Sequence, residues 1–235
     1  MDRILEPEVM DNPEQALAYA QADFRDSNGR FIEGLVATLG PAAIGPGSHI
    51  LDLGCGPGEI PVELAQKLPQ TVITAVDASA AMLGLAQARV TTAGVADRVR
   101  LHQAYLPHWP TATTPFTPPL TAVISKDMLH HLPDPQVFWQ VFRTLAAQAQ
   151  SPLTVYVMDL LRPPSAAVAQ EMVQGVAGSE SLLLQQDFYN SLCASFTLEE
   201  VQQHLHQAQL SLSLTRVGDR HFLVQGSLPI PSNFP

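Results

Sequence analysis

No stretch of this chain approaches the ~18 to 20 consecutive apolar residues of a bilayer-spanning helix, so no membrane span is expected. The first residues lack the basic segment followed by an apolar one that marks a secretory leader, and the chain reads as cytoplasmic. Basic residues are also scarce. Twelve Lys plus Arg against 22 Asp plus Glu give a net charge of −10, and the cations are scattered, which removes the footprint of a nucleic-acid binder. Cysteine is limited to Cys55 and Cys193. Cys55 lies inside a glycine turn that a disulfide would distort, so reduced thiols are expected. No Cys, His and acidic set has zinc-ligand spacing, and the paired His130-His131 is no substitute, because neighbours on a chain point in different directions. No metal is expected. With 235 residues, 46% of them hydrophobic, one domain with a sizeable core is the default, and small organic molecules are favoured as partners.

The stretch His49-Ile50-Leu51-Asp52-Leu53-Gly54-Cys55-Gly56-Pro57-Gly58-Glu59-Ile60 constrains function most. Ile50, Leu51 and Leu53 form an apolar run suited to a parallel strand covered on both faces. Gly54, Gly56 and Gly58 then open a turn where backbone can approach a ligand, and a helix beginning near Glu59 aims its unpaired N–H groups at that turn. A dinucleotide fingerprint needs a small residue where Glu59 stands, and a carboxylate beside a pyrophosphate is unfavourable. An ordinary tight turn with no ligand is the plainer reading, but the full D-x-G-x-G-x-G spacing after an apolar strand argues against it.

That spacing resembles the first motif of class I S-adenosylmethionine-dependent methyltransferases, whose ligand carries an ammonium, a carboxylate and a sulfonium. Leu129-His130-His131-Leu132-Pro133-Asp134 is similar to a segment of small-molecule members of the class. The motif-level resemblance covers residues 50 to 160. It implies a doubly wound, Rossmann-like α/β fold with seven strands in the order 3-2-1-4-5-7-6, the last strand antiparallel. The strands are expected near 50–53, 71–77, 97–104, 121–124, 153–159, 210–217 and 221–224, with helices between them. Residues 1–47 read as an N-terminal helical cap, 48–228 as the methyltransferase domain with a helical insertion at 165–195, and 229–235 as a disordered, Pro-rich tail. Residues 107–119, with five prolines, read as a loop, and Gly40-Pro41 as a helix stop.

S-adenosylmethionine is the implied cofactor and S-adenosylhomocysteine the product. The turn Asp52, Gly54, Cys55, Gly56 and Gly58 would pass under the methionine part. Asp77, followed by Ala78 at the tip of the second strand, is placed to accept from both ribose hydroxyls, although it also suits a cap for the helix starting at Ser79. Met82 is expected beside the adenine. Many relatives have Asp where Gln103 precedes Ala104, and glutamine offers both a donor and an acceptor there. The fourth strand delivers Ser125, Lys126 and Asp127 to the carboxyl edge of the sheet.

His130, His131 and Lys126 are the candidate catalytic groups, to deprotonate or hold an acceptor, while a dedicated base is optional because the sulfonium activates its own leaving group. Tyr19, Asp127, Tyr189 and Asn190 are the candidate acceptor contacts, with Phe24, Asn28, Phe31, Asp187 and Ser191 as neighbours of the same kind. Packing and solvated helix faces are the competing explanations for these. Two other functions stay open: a non-catalytic member of the fold acting through a partner, and, disfavoured by Glu59, a nicotinamide oxidoreductase. The oligomeric state and the acceptor's identity are left open.

Overall fold

Five residues, His49–Leu53, form a strand (β1) buried along its whole length, and the sheet grows outward from it on both sides. The computed structural model describes residues 1–6, 9–40, 44–110, 114 and 116–229. Pro41, Pro115 and the tail from 230 onward, on which the sequence set a helix stop, part of a loop and disorder, lie outside the described residues. Parallel to β1 run β2 (Val72–Asp77) and β3 (Val99–Gln103) on one side, and β4 (Ala122–Lys126) and β5 (Leu153–Leu160) on the other. Then β7 (His221–Leu228) pairs antiparallel with β5 and carries β6 (Ser213–Val217) on its outer edge. The order is 3-2-1-4-5-7-6, the topology expected from the sequence.

Between and around the strands lie α1 (Pro13–Gln21), α2 (Arg25–Thr38), α3 (Glu59–Lys67), α4 (Ala80–Ala93), α5 (Pro135–Gln148), α6 (Ala166–Ala177), α7 (Leu182–Ala194) and α8 (Leu198–Gln207). Their ends follow local chemistry. The Asn12 side chain accepts from the Glu14 and Gln15 N–H groups with Pro13 at the first helical position, and Thr197 and Glu200 form a reciprocal capping box on α8.

Alternation along the strands sends side chains to two cores. Leu51, Leu53, Val123, Val155, Val157, Phe222 and Val224 pack against α5 and α8 through Phe138, Trp139, Phe142, Val201 and Leu205. Ile50, Ile73, Ile124, Tyr156 and Met158 pack against α2 and α3 through Phe31, Ile32, Leu35, Val62 and Leu64. On α5 the buried face includes Trp139, fully buried, while Val137, which the 3.6-residue spacing favours, is only half-buried. A larger ring two positions along removes more apolar surface from water than a valine does.

Register places the carboxyl ends of β1, β2 and β4 side by side: Leu53 pairs with Val76 and with Ser125, and Asp77 with Gln103. Strand order reverses between β1 and β4, where open α/β sheets form their ligand crevice. The turn leaving β1 is fixed by bonds from the Gly54 and Cys55 N–H groups to the Val76 carbonyl (2.8 and 2.9 Å). Gly58 caps α3 with φ +82°, and a Cβ there would stand 2.9 Å from Ala86 Cβ and 3.0 Å from its Cα. Gly58→Ala is therefore expected to cost about 2 to 3 kcal/mol through overpacking of α3 on α4 and a left-handed backbone. At ~2 to 4 °C per kcal/mol, a melting temperature unchanged within a degree or so by calorimetry would refute this.

Residues 1–6 act as a strap. The Arg3 guanidinium donates to the carbonyls of His130 and Leu132 (both 2.9 Å) and Ala194 (2.5 Å), and lies 4.0 Å over the Phe196 ring. The Ile4 N–H donates to Cys193 (3.0 Å), so the strap joins the 129–133 segment to the end of α7. Among the described residues no helix is long and apolar enough to cross a membrane.

Candidate functional site

At the carboxyl edge the glycine turn, the β2 tip, the segment after β4 and the N-terminal helices enclose one cavity of about 300 Å³. From one wall come Gly54, Cys55, Gly56, Asp77, Ala78, Met82 and Ala104. The lining also takes in Tyr19, Phe24 and Asn28 from α1, α2 and their junction, and Leu184, Asp187, Phe188 and Ser191 from α7. Lys126, Asp127, His130 and His131 form the floor between the two.

Asp77 is anchored by backbone N–H groups on both sides of the turn. Its Oδ2 accepts from the Gly56 N–H (2.8 Å) and its Oδ1 from the Ser79 N–H (2.9 Å), and the Ala78 backbone also bonds the carboxylate. Burial pushes its pKa up, against the pull of those bonds. Asp52, beneath the turn and fully buried, has its carboxyl pushed up to about 7 by burial and then by Asp77, and its Oδ2 has no partner. Glu59 is raised by burial, opposed by Arg89 (3.1 Å), Lys126 and a bond from Asn28 (2.8 Å). The Cys55 thiol is raised well above its ordinary value by burial and by Asp52, so it is not a nucleophile. Burial and the surrounding carboxylates also raise Tyr19. This concentration of negative charge, part of it uncompensated, suits a ligand that brings positive charge.

At the β4 tip Lys126 pairs with Asp127, and His221 on β7 stands 3.5 Å from Asp127 Oδ1. Burial opposes ionisation of Asp127, but Lys126 and His221 outweigh it and hold the carboxyl well below its usual range. Asp127 also has φ +53°, a left-handed backbone uncommon for a residue with a side chain. Lys126 is buried rather than solvated.

His130 is buried too. Its Nδ1 is 2.6 Å from Asp159 Oδ1 at the end of β5, and Asp159 Oδ2 accepts from the Leu129 N–H (2.6 Å). Burial works to lower the imidazole, but Asp159, Glu6 and Asp127 outweigh it and push its pKa up to about 9. In this form it carries a proton at neutral pH and offers no lone pair as a base. The His130 and His131 rings lie 4.4 Å apart at 32°. The expectation that neighbouring histidines diverge is thus not met: a 3₁₀ turn at Leu129–His131 brings both rings to one side.

Seven residues marked from sequence do not reach the cavity wall. Gln103 turns its amide to the Ala78 carbonyl (3.0 Å), and the Ser125 hydroxyl donates to Leu53 (2.8 Å), tying β4 to β1. On α7, Tyr189 packs beside Leu160, Ala169, Val173 and Leu192, and Asn190 accepts from Gln186 (2.9 Å) on the exposed side. Their helix neighbours Asp187, Phe188 and Ser191 line the cavity instead. Phe31 is core, edge-on to Tyr156. Gly58 and Asp52 support the turn from behind. Sequence reasoning missed Glu6, Asp159, His221 and Arg220; only Asp159, closing a strand at the sheet's carboxyl edge, carried a local signal.

Residues 50–150 match the family model described as a methyltransferase domain. Over 116 residues the chain is 36% identical to the demethylmenaquinone methyltransferase of Lactiplantibacillus plantarum, covering 48% of this chain and 47% of that protein. It is 36% identical over 78 residues to the trans-aconitate 2-methyltransferase of Deinococcus radiodurans, covering 33% and 27%. Each match spans less than half of the curated relative's length. A SAM-dependent methyltransferase from Aquifex aeolicus superposes with a TM-score of 0.64 over 92% of this chain and 98% of its own, at 15% identity, a likeness of fold.

Proposed function

Starting from a chain whose residues 50–150 match a methyltransferase domain and whose sheet has the class I methyltransferase order, we propose that the protein transfers a methyl group from S-adenosylmethionine to a small-molecule acceptor. The observation that carries this is Asp77, held by Gly56 and Ser79 at the tip of β2 and lining the cavity beside the glycine turn. The bound cofactor supplies an electrophilic methyl on sulfur. Everything else falls to the chain. Gly54, Cys55 and Gly56 bring backbone to the methionine part, with Gly58 behind them. Asp77 and Ala78 receive the ribose, and Met82 and Ala104 flank the adenine. The acids around the turn favour the ammonium and sulfonium over a pyrophosphate.

The acceptor enters on the opposite side, between Tyr19, the Lys126–Asp127–His221 group and α7. Roofing by α1 and α7 excludes water and sets the in-line approach, which is most of what this chemistry asks. The strained backbone of Asp127 fits a group held in position for that purpose. Relatives named for demethylmenaquinone and trans-aconitate support a small molecule as acceptor, and the net charge of −10 supports no nucleic acid.

Calorimetry tests the reading. S-adenosylhomocysteine is expected to bind in the micromolar range, roughly −8 kcal/mol, and NAD not at all. Asp77→Ala should weaken it by about 1 to 3 kcal/mol, the scale of a lost charge-assisted bond, in protein that circular dichroism shows to be folded. Binding of NAD in place of S-adenosylhomocysteine would sink the proposal.

A further inference from the structure

We infer that Glu6, His130 and His131 form a binding site for a divalent transition-metal ion on the acceptor side of the cavity. Glu6 Oε1 lies 3.2 Å from His131 Nδ1 and 3.4 Å from His130 Nε2, and the three ligand atoms are all within 4.8 Å of one another. With metal–ligand distances of ~2.0 to 2.1 Å, the edge of a tetrahedral zinc site is about 3.3 Å, so one ion fits among these atoms with little rearrangement. Two imidazole nitrogens and one carboxylate oxygen suit zinc, cobalt or ferrous iron rather than magnesium or calcium, which take oxygen donors.

Three independent features point to an ion. Glu6 is nine-tenths buried, and its Oε1 accepts no hydrogen bond although it is aimed at both rings, while Oε2 is held by Ser191 (3.3 Å). His130 is oriented from behind by Asp159, the carboxylate–histidine arrangement that fixes a ligating ring with its other nitrogen forward. Thirdly, the carboxylates outnumber the cations near the site. Glu6 and Asp159 are joined by Asp187, whose buried Oδ2 has no partner and which faces the same cavity.

Arg3 pins the strap that carries Glu6 to the carbonyls around the histidines. His130 and His131 border the cavity, so the ion's fourth position opens toward it, with Asp187 or water to fill it. Metal binding itself does not depend on methyl transfer. On the reading above, however, the open position faces the acceptor, and an oxygen of the acceptor bound there would be held in its anionic form without a protein base.

The full-length protein, stripped with chelator and dialysed against zinc, is expected to retain about one zinc per chain by elemental analysis. Cobalt in its place should give visible d–d bands of a four- or five-coordinate site. Glu6→Gln and His131→Ala should each weaken zinc at least roughly tenfold by competition with a chromophoric chelator, whereas the exposed His206→Ala should not. Because Glu6 lies on the strap outside both cores, Glu6→Gln tests the site without endangering the fold. The inference is overturned if wild-type protein retains no zinc, or if Glu6→Gln and His131→Ala hold it as tightly as wild type. S-adenosylhomocysteine affinity, measured in parallel without metal, reports on the methyltransferase reading separately.

Discussion

Gly56→Val is expected to abolish S-adenosylhomocysteine binding, by at least ~100-fold or ~2.7 kcal/mol, in protein that still folds. Gly56 has φ +52°, and a Cβ built on it meets nothing within 4 Å, because that direction is the cavity itself. Added methyls would occupy ligand space rather than strike protein, with a backbone cost of about 1 to 2 kcal/mol for the left-handed conformation. Its neighbours differ. A Cβ on Gly54 would run into the Met128 side chain, and one on Gly58 into Ala86, so those two are required for packing. Calorimetry for binding and a thermal melt for folding separate the two effects, and Gly56→Ala, less strained, should still lose roughly tenfold or more. Binding within threefold of wild type in either variant would place the ligand elsewhere.

Asp52→Asn should change how stability depends on pH. An unfolded carboxyl titrates near 3.8, whereas Asp52 in the fold is pushed up to about 7. Between those values the folded state holds a proton that the unfolded chain has released. Stability therefore falls as pH rises through that window. At ~1.4 kcal/mol per pH unit the whole span is on the order of 4 kcal/mol, lost by the ligand-free wild type between about pH 4 and pH 8. Asparagine cannot ionise. Relative to wild type, the variant should gain several kcal/mol on going from acid to mildly alkaline solution, even if its amide makes it less stable at pH 4. Denaturant melts across the range read this difference, with Asp77, also raised, leaving a smaller slope in both proteins. Parallel pH profiles would show that Asp52 titrates normally.

The sheet was legible because each of its strands carries its own signal. Apolar runs at Leu51–Leu53 and Val123–Ile124, β-branched Val72–Ile73 and alternation at Phe222–Val224 depend on neighbours close in sequence. The glycine turn and Asp77 were legible for the same reason. What escaped was set by side-chain direction and by long-range placement. On α7 one position separates Phe188, which lines the cavity, from Tyr189, which does not, and periodicity alone leaves the facing undetermined by that amount. Gln103 occupied the expected place but spent its amide on Ala78. The charge cluster on the floor draws on Glu6, His130, Asp159 and His221, from four separate parts of the chain. Nothing in a sequence window announces such a meeting.

The strap also fixes when the cavity can be finished during synthesis. Arg3 leaves the ribosome 191 residues before Ala194, to which it donates. At ~5 to 20 residues per second that is a wait of about 10 to 40 s. β7, which must insert between β5 and β6, comes later still. Residues 1–6 are thus seated only after residue 194 has been made, and the glycine-turn half can form while the opposite wall is still unlocked. A nascent chain halted before residue 194 would carry the turn and Asp77 without the closure that residues 1–6 give the floor.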